Sequence, residues 1–561
     1  MSLFCRRPPL SLLAILLATV LPIAAIGGQN PEATSQMTRK DRLAVLYSNQ
    51  VIFDRKGEPL VSIRVTEGQE TIRFSSKKPL TLLPSADDGA RIRAPASARF
   101  VVTVEESKLG TVRHWVVAER LPAGELSRAA VVRKRWQDAG HEVKIFEGGA
   151  LIGIAGRTLD TRSLTVAIDP QATAAEAEAG VALLSAKGPL LGEVISEPVQ
   201  RPTGWIVARE ERSGLEIRAR DILWLTPTEK ATVDFEAVEF GRGTSHHGTA
   251  DRRYLGDAYL AIGNDGRLAV VNVANAETLL EGIVPAEIPA GSPEAALAAQ
   301  AVAARGQLLA KVGTRHRSDP YLLCADTHCQ VYGGETKEHP RTTAAVRQTR
   351  GQLLFDDRGL VDTVYSSNCG GHSEAFDRYW GGSPNPTLSG VAETPEGPSP
   401  IGPDETGVAH FIDHPPKGAS CAPSGSRSGV FRWTATRSGA DVTRAVNQRA
   451  PIGDVIAIRV VERGRSGRAL VIEYEGLKGK HVIRGEYANR KLLGHLKSGL
   501  FIVTRDGVPG HAPSTFTFRG GGFGHGVGMC QHGSIGRAAT GETHEEILHH
   551  YYPSSRIEKA W

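Results

Sequence analysis

Short runs in which apolar and polar residues alternate fill the first part of the chain. Leu60-Val-Ser-Ile-Arg-Val65 and Phe100-Val-Val-Thr-Val104 are two of them, with turn residues at Asp54–Gly57 and Asp87–Gly89. A period of two, punctuated by turns, predicts small β modules from Leu43 to about Val117. The pattern then changes. His114–Val117 reads as a strand, Gly124–Ala139 as a helix and Glu142–Phe146 as another strand, the order of a small α/β unit. Ala172–Ala186 is a second helix, rich in Ala and Glu, and strand-like sequence returns between Pro198 and Phe240. Gly241–Arg252 is polar and turn-rich, a linker or surface loop in which His246 and His247 are solvated.

After Tyr254 the patterning sharpens. Tyr259–Ile262 and Leu268–Asn272 flank Asn264-Asp-Gly266, a strong hairpin signal. The stretch Val284–Val312 then reads as a Pro-framed loop carrying Glu287, followed by an Ala-rich helix. Ser292 is the expected N-cap, Pro293 the first helical residue and Gly313 the stop. Leu297, Ala301, Ala304 and Leu308 form one buried stripe, with Arg305 beside it and Gln300 on its other flank. Val284, Pro285, Ile288 and Pro289 give Glu287 an apolar setting, which would raise its pKa. Near the C-terminus Thr543-His-Glu-Glu546 is a capping box, and Ile547, Leu548 and Tyr551 should dock on the core before Pro553.

Composition adds bounds. A chain of 561 residues holds two or more domains, and 62 Gly with 32 Pro indicate many turns. A net charge of +5 with no basic block leaves no sign of a nucleic-acid groove. Arg6 and Arg7 precede the apolar run Leu10–Ile26, with Ala25 and Gly27 at signal-peptidase spacing. Residues 1–27 therefore read as a secretory signal peptide, the alternative being an uncleaved anchor. Residues 28–42 read as a linker, and no other stretch is long and apolar enough to span a membrane. The expectation is a secreted or periplasmic protein with no membrane span once cleaved.

Five cysteines then remain, an odd number, in an oxidising compartment. Cys324 and Cys329 bracket His328, with His316 upstream. Three readings stay open: zinc held by Cys324, Cys329 and His316, a disulfide in this loop or to Cys369, Cys421 or Cys530, or buried thiols. The Gly520–Gly528 run follows the strand Thr515–Phe518 and lacks a dinucleotide-binding context. Its His525 is a candidate for chemistry, ligand binding or a structural hydrogen bond.

Several segments, in order, resemble the SpoIID/LytB family of peptidoglycan-acting proteins. They include Val284-Pro-Ala-Glu287, Ala299-Gln-Ala-Val-Ala-Ala-Arg305, Asp326-Thr-His-Cys-Gln-Val-Tyr332 and Ser366-Ser-Asn-Cys-Gly-Gly-His-Ser-Glu374. Gly522-Phe-Gly-His-Gly-Val-Gly-Met-Cys-Gln531 and Glu545-Glu-Ile-Leu-His-His-Tyr-Tyr-Pro553 close the set, and the likeness covers Tyr254–Trp561. The resemblance implies a lytic transglycosylase that cuts the MurNAc–GlcNAc bond, best on peptide-stripped glycan, and leaves a 1,6-anhydro end. The alternative it carries is a non-catalytic enhancer of a cell-wall amidase, with that amidase as partner besides the glycan strands.

It places the essential carboxylate at Glu287. It implies substrate contacts from Arg305, Gln300, Ser366, Ser367, Glu374, His525 and Gln531. No cofactor is required, although some members carry zinc through one His and two Cys. Cys369 and Cys530 stand where many relatives lack cysteine, which hints that they pair with each other. Arg305 in a tight ion pair with Glu287 would lower the pKa that an acid needs, so no such pair is expected.

The fold class expected is α+β. Residues 43–112 form a β-rich module, 113–205 a βαβ unit similar to sporulation-related glycan-binding repeats or an ordinary scaffold, and 206–253 strands and a linker. Residues 254–561 form the SpoIID-like catalytic domain.

Overall fold

The alternating runs of the N-terminal part are β-strands in the computed structural model, which describes residues 46–84, 90–154, 156–184, 193–228, 231–242, 247–394, 401, 404–422 and 428–561. The expected leader 1–27, the linker 28–42 and His246 lie outside the described residues. In the strand Pro59–Gln69, Val61, Ile63 and Val65 face the core. In Arg99–Lys108, Phe100 and Val102 do the same. The fold is α+β.

The segment from 111 to 200 is a four-stranded antiparallel sheet carrying helices α1 (Leu126–Asp138) and α2 (Ala174–Leu184). Its strand order is Val194–Gln200, Thr111–Pro122, Ser163–Gln171, Val143–Gly148. Two interleaved strand–helix–strand units produce this order, a split βαβ arrangement larger than the single unit read from the sequence. Val116, Val132, Trp136, Val166 and Ile168 give it a core of its own.

Asp257–Ile262 and Leu268–Asn275 form the predicted hairpin, with Ile262 opposite Leu268. Gly266 takes φ 75°, the left-handed geometry that this turn requires. Leu268–Asn275 also pairs with Pro59–Gln69, and Leu323–Cys324 joins Pro59–Gln69 in parallel. The sheet therefore runs across residue 254 and joins the N-terminal strands to the second half of the chain.

Helices α3 (Ala276–Glu287) and α4 (Glu294–Ala310) form the centre of the second half. The predicted stripe on α4 is buried, and so is every other residue from Ala296 to Leu309. Helix α4 is packed on all sides by α3, α5 (Pro340–Gln348), α6 (Gln531–Ala539) and α7 (His544–Tyr551). Alanine explains this: a helix with so little side-chain bulk admits neighbours on every face, while Leu297 and Leu308 each contribute about 1.5–3 kcal/mol of burial. Helix α4 begins at Glu294, with Pro293 as N-cap at ψ 148° and no side-chain cap. The expected Ser292 cap is thus displaced by one residue. The capping box at Thr543 and Glu546 is present, and Ile547, Leu548 and Tyr551 are buried as expected. No helix among the described residues is long and apolar enough to cross a membrane.

Candidate active site

Glu287 is the last residue of α3, not a loop residue as the sequence suggested. Pro285 lies inside the final turn, tolerated because Leu279, Leu280, Ile283 and Val284 anchor the helix in the core. The helix stops at Ile288, which adopts φ −129° and ψ 140° because a residue preceding proline, here Pro289, is driven out of the helical region. The Ile288-Pro289 pair thus ends the helix at the carboxylate.

The Glu287 side chain is half-buried, and Oε1 accepts the Val331 N–H at 2.7 Å. Burial pushes its carboxyl up to about 7, against the opposing pull of the Val331 N–H, the Lys311 ammonium and the Tyr365 hydroxyl. Its place at a helix C-terminus, where an anion is disfavoured, acts in the same direction as burial. Lys311 is buried, its pKa held down by burial and supported in turn by Asp362, Cys329 and Glu287. Asp362 is itself pushed up by burial. Tyr365 donates its hydroxyl to Gln330 Oε1 at 3.0 Å, and Gln330 donates to the Ala304 carbonyl.

Arg305 does not reach this carboxylate. Its Nε and one terminal nitrogen fork onto Glu277 at 2.9 and 2.8 Å, and its terminal nitrogens also donate to the Gln352 and Val346 carbonyls. Glu277 takes two further donors, Gly351 N–H and the Trp561 indole. The expected absence of a tight Glu287–Arg305 pair agrees with this. Arg305 is, however, 0 % exposed, so the expectation of a substrate contact is corrected: its guanidinium is spent on a core ion pair that ties α4 to α3.

Gln300 and Glu374 are corrected on the same ground, since both are 0 % exposed. Gln300 Oε1 accepts from Gln531 Nε2 at 3.2 Å. Glu374 collects donors from Ala375 N, Arg465 N, Ser466 N and Ser466 Oγ, so it pins a turn of the chain. Gln531 is largely buried and donates to the Glu287 carbonyl oxygen at 2.9 Å, so it holds the backbone of the acid and not sugar. Ser366 is buried too, its hydroxyl without a partner, in the short strand Tyr365–Ser366 that pairs in parallel with Met529–Cys530. Ser367 is half-buried, and its carbonyl accepts from the His532 backbone and ring.

His525 lies close enough to Lys311 to feel its charge. Its Nδ1 accepts the Val527 N–H at 3.0 Å, and Trp380 and Tyr379 pack against the ring with centroids 5.0 and 5.8 Å away. Burial, followed by Lys311, Arg468 and Arg490, depresses its pKa to about 3. The ring is neutral near pH 7 and can offer a hydrogen bond but not a cationic acid. Trp380, Tyr365 and Lys311 carried no sequence signal beyond their closeness to the motifs.

The Cys324 loop gathers four donors. One ligand atom each from His316, Cys324, His328 and Cys329 lies within 4.8 Å of the others. Cys329 Sγ is 3.4 Å from His316 Nε2 and 3.7 Å from His328 Nδ1, and His316 Nδ1 is held by Asp319 at 3.0 Å. That outer bond turns Nε2 inward, the arrangement a metal-bound imidazole uses. His316 sits at φ 48°, unusual for a residue with a side chain and an indication that the loop is tightly held. Two imidazoles and two thiols suit tetrahedral zinc, so the residues fit that metal. The five thiols of the described residues form no disulfide, which departs from the Cys324–Cys329 and Cys369–Cys530 pairings considered above. His247 bonds Glu239 and joins no cluster.

Residues 264–355 match the family model for SpoIID, stage II sporulation protein, and residues 374–528 match a domain of unknown function. The chain is 28% identical over 306 residues to the amidase enhancer of Bacillus subtilis, covering 50% of this chain and 40% of that protein. It is 25% identical over 299 residues to stage II sporulation protein D of the same organism, covering 51% of this chain and 74% of that protein. An uncharacterized protein of Brachyspira hyodysenteriae is 26% identical over 300 residues, covering 53% of this chain and 70% of that protein.

Proposed function

The chain belongs to the SpoIID/LytB family, and from that premise we propose that it is an exported lytic transglycosylase acting on the glycan strands of peptidoglycan. The observation that carries the reading is Glu287: a half-buried carboxyl pushed up to about 7, with the Arg305 guanidinium engaged by Glu277 instead. At pH 6–7 such a group is protonated in part, as a general acid must be.

Glu287 gives its proton to the glycosidic oxygen as the MurNAc C1–O bond breaks. The resulting carboxylate then takes the proton of the same sugar's 6-hydroxyl while O6 closes onto C1. The products are a 1,6-anhydro end and a free GlcNAc hydroxyl, the acid is restored and no water is consumed. A single carboxyl therefore suffices where hydrolases use two. The Val331 N–H and Lys311 ammonium favour the carboxylate formed midway. Trp380, beside neutral His525, offers an aromatic face to a sugar ring.

His316, Cys324, His328 and Cys329 would hold zinc, which when bound supplies a cross-link and not sugar chemistry. Cys329 immediately precedes Gln330 and Val331, so the loop it fixes is the one that donates to Glu287.

A wall-bound enhancer of an amidase is the second reading, favoured by the amidase-enhancer relative. Peptide-stripped glycan incubated with the wild type and with Glu287→Gln separates the two. Anhydro-disaccharide products from the wild type alone support the transglycosylase; none from the wild type refutes it.

A further inference from the structure

Beyond the Glu287 site a second set of metal-ligating side chains converges from four distant points of the sequence. Cys369, Glu393, Cys421 and Cys530 bring one ligand atom each within 4.8 Å of the others. All four residues are 0 % exposed. Cys530 is brought beside Cys369 by the parallel pairing of Met529–Cys530 with Tyr365–Ser366, and it is also the N-cap of α6.

The separations suit a tetrahedron. Cys369 Sγ lies 3.4 Å from Glu393 Oε1. Zinc–sulfur bonds of about 2.3 Å and zinc–oxygen bonds of about 2.0 Å set an S···O edge of roughly 3.5 Å. Glu393 Oε2 has no hydrogen-bond donor; the nearest guanidinium nitrogen, Arg537 Nε, is 3.7 Å away and equally unpartnered. An orphaned carboxylate oxygen in the core is costly unless something binds it.

The outer contacts are those of a ligated cluster. Tyr551 donates its hydroxyl to Glu393 Oε1 at 2.6 Å. Cys530 Sγ accepts the backbone N–H groups of Cys369 and Gly533 at 3.2 and 3.3 Å. At Gly533 any side chain would collide with the Tyr551 hydroxyl and the Glu393 carboxyl. Three thiolates and a carboxylate around a divalent ion leave two negative charges, and Arg468, Arg537 and Arg432 surround the cluster to meet them. A disulfide would consume two of the thiols and leave Glu393 Oε2 still without a hydrogen-bond donor.

We propose that Cys369, Cys421, Cys530 and Glu393 form a closed, structural site for a thiophilic divalent cation of the zinc class. Four protein ligands leave no open position, so the ion serves as a staple and not a reagent. Cys530 is followed by Gln531, whose amide holds the Glu287 carbonyl, so the staple fixes one wall of the Glu287 site. The inference stands whether or not Glu287 cleaves glycan.

The test counts metal and thiols in the full chain, purified without a metal-affinity step. A Cys324→Ser/Cys329→Ser chain disables the first cluster and should retain one equivalent of zinc, with a thiol count unchanged by reductant. Cobalt(II) exchange should give it a thiolate-to-metal charge-transfer band. Adding Cys421→Ser should remove the metal and the band. The unsubstituted chain should hold two equivalents, a readout that survives if the variants do not fold. Overturning results are a metal-free double variant, an unsubstituted chain free of metal, or a thiol count in the double variant that rises by two on reduction.

Discussion

Replacing Glu287 by glutamine should make the protein inactive and, above neutral pH, more stable. The folded carboxyl titrates near 7 against an ordinary 4.5, so folding favours its protonated form. For a group raised in this way, the stability it contributes is complete below pH 4.5 and is lost as pH climbs through 7. The gap of about 2.5 in pH corresponds to about 3 kcal/mol at most, a ceiling that the partial exposure of the side chain lowers. Glutamine keeps the shape and never ionises. Wild type and variant should therefore melt together near pH 4.5 and diverge by up to about 3 °C at pH 8, for a unit of about 500 residues. The assay is thermal or urea unfolding of both proteins across pH 4.5–8.5, paired with glycan cleavage, which should fall by about 10²-fold or more for loss of a general acid. A variant that is less stable at every pH, or a gap that does not widen with pH, would refute the account of Glu287 as a buried acid.

Two other substitutions separate structure from chemistry. Arg305→Met leaves Glu277 as an unpaired buried charge and should cost about 3–5 kcal/mol in urea unfolding, with glycan affinity of the folded fraction unchanged; a stable protein that has lost glycan binding would return Arg305 to the substrate groove. Trp380→Ala should leave stability near wild type and raise KM about five- to tenfold, the loss of roughly 1 kcal/mol of stacking, and an unchanged KM would remove Trp380 from the sugar-binding surface.

Much of the local structure was legible in the chain. The Asn264-Asp-Gly266 hairpin and the Thr543 capping box need only neighbouring residues, and both formed. Glu287 reads as a loop residue but ends helix α3, because Pro285 reads as a helix breaker when the core contacts of Leu279, Leu280 and Ile283 are unseen. Arg305, Gln300 and Glu374 were assigned to substrate because polar residues within motifs invite it. Their burial depends on partners 28, 231 and 91 positions away, which one sequence does not reveal. The two-cluster arrangement of thiols was out of reach for the same reason: Cys530 meets Cys369 through a pairing 161 positions apart.

The strand Pro59–Gln69 carries a consequence for how the chain is made. Its partners, Leu268–Asn275 and Leu323–Cys324, emerge some 200 and 260 residues after it. Loops of that length close slowly, and until they close the strand presents an unpaired edge on which other chains can add. A chain synthesised from its N-terminus must carry this edge unsatisfied until the later half arrives. Dividing the protein near residue 254, to isolate the half that bears Glu287, would make that exposure permanent in both pieces.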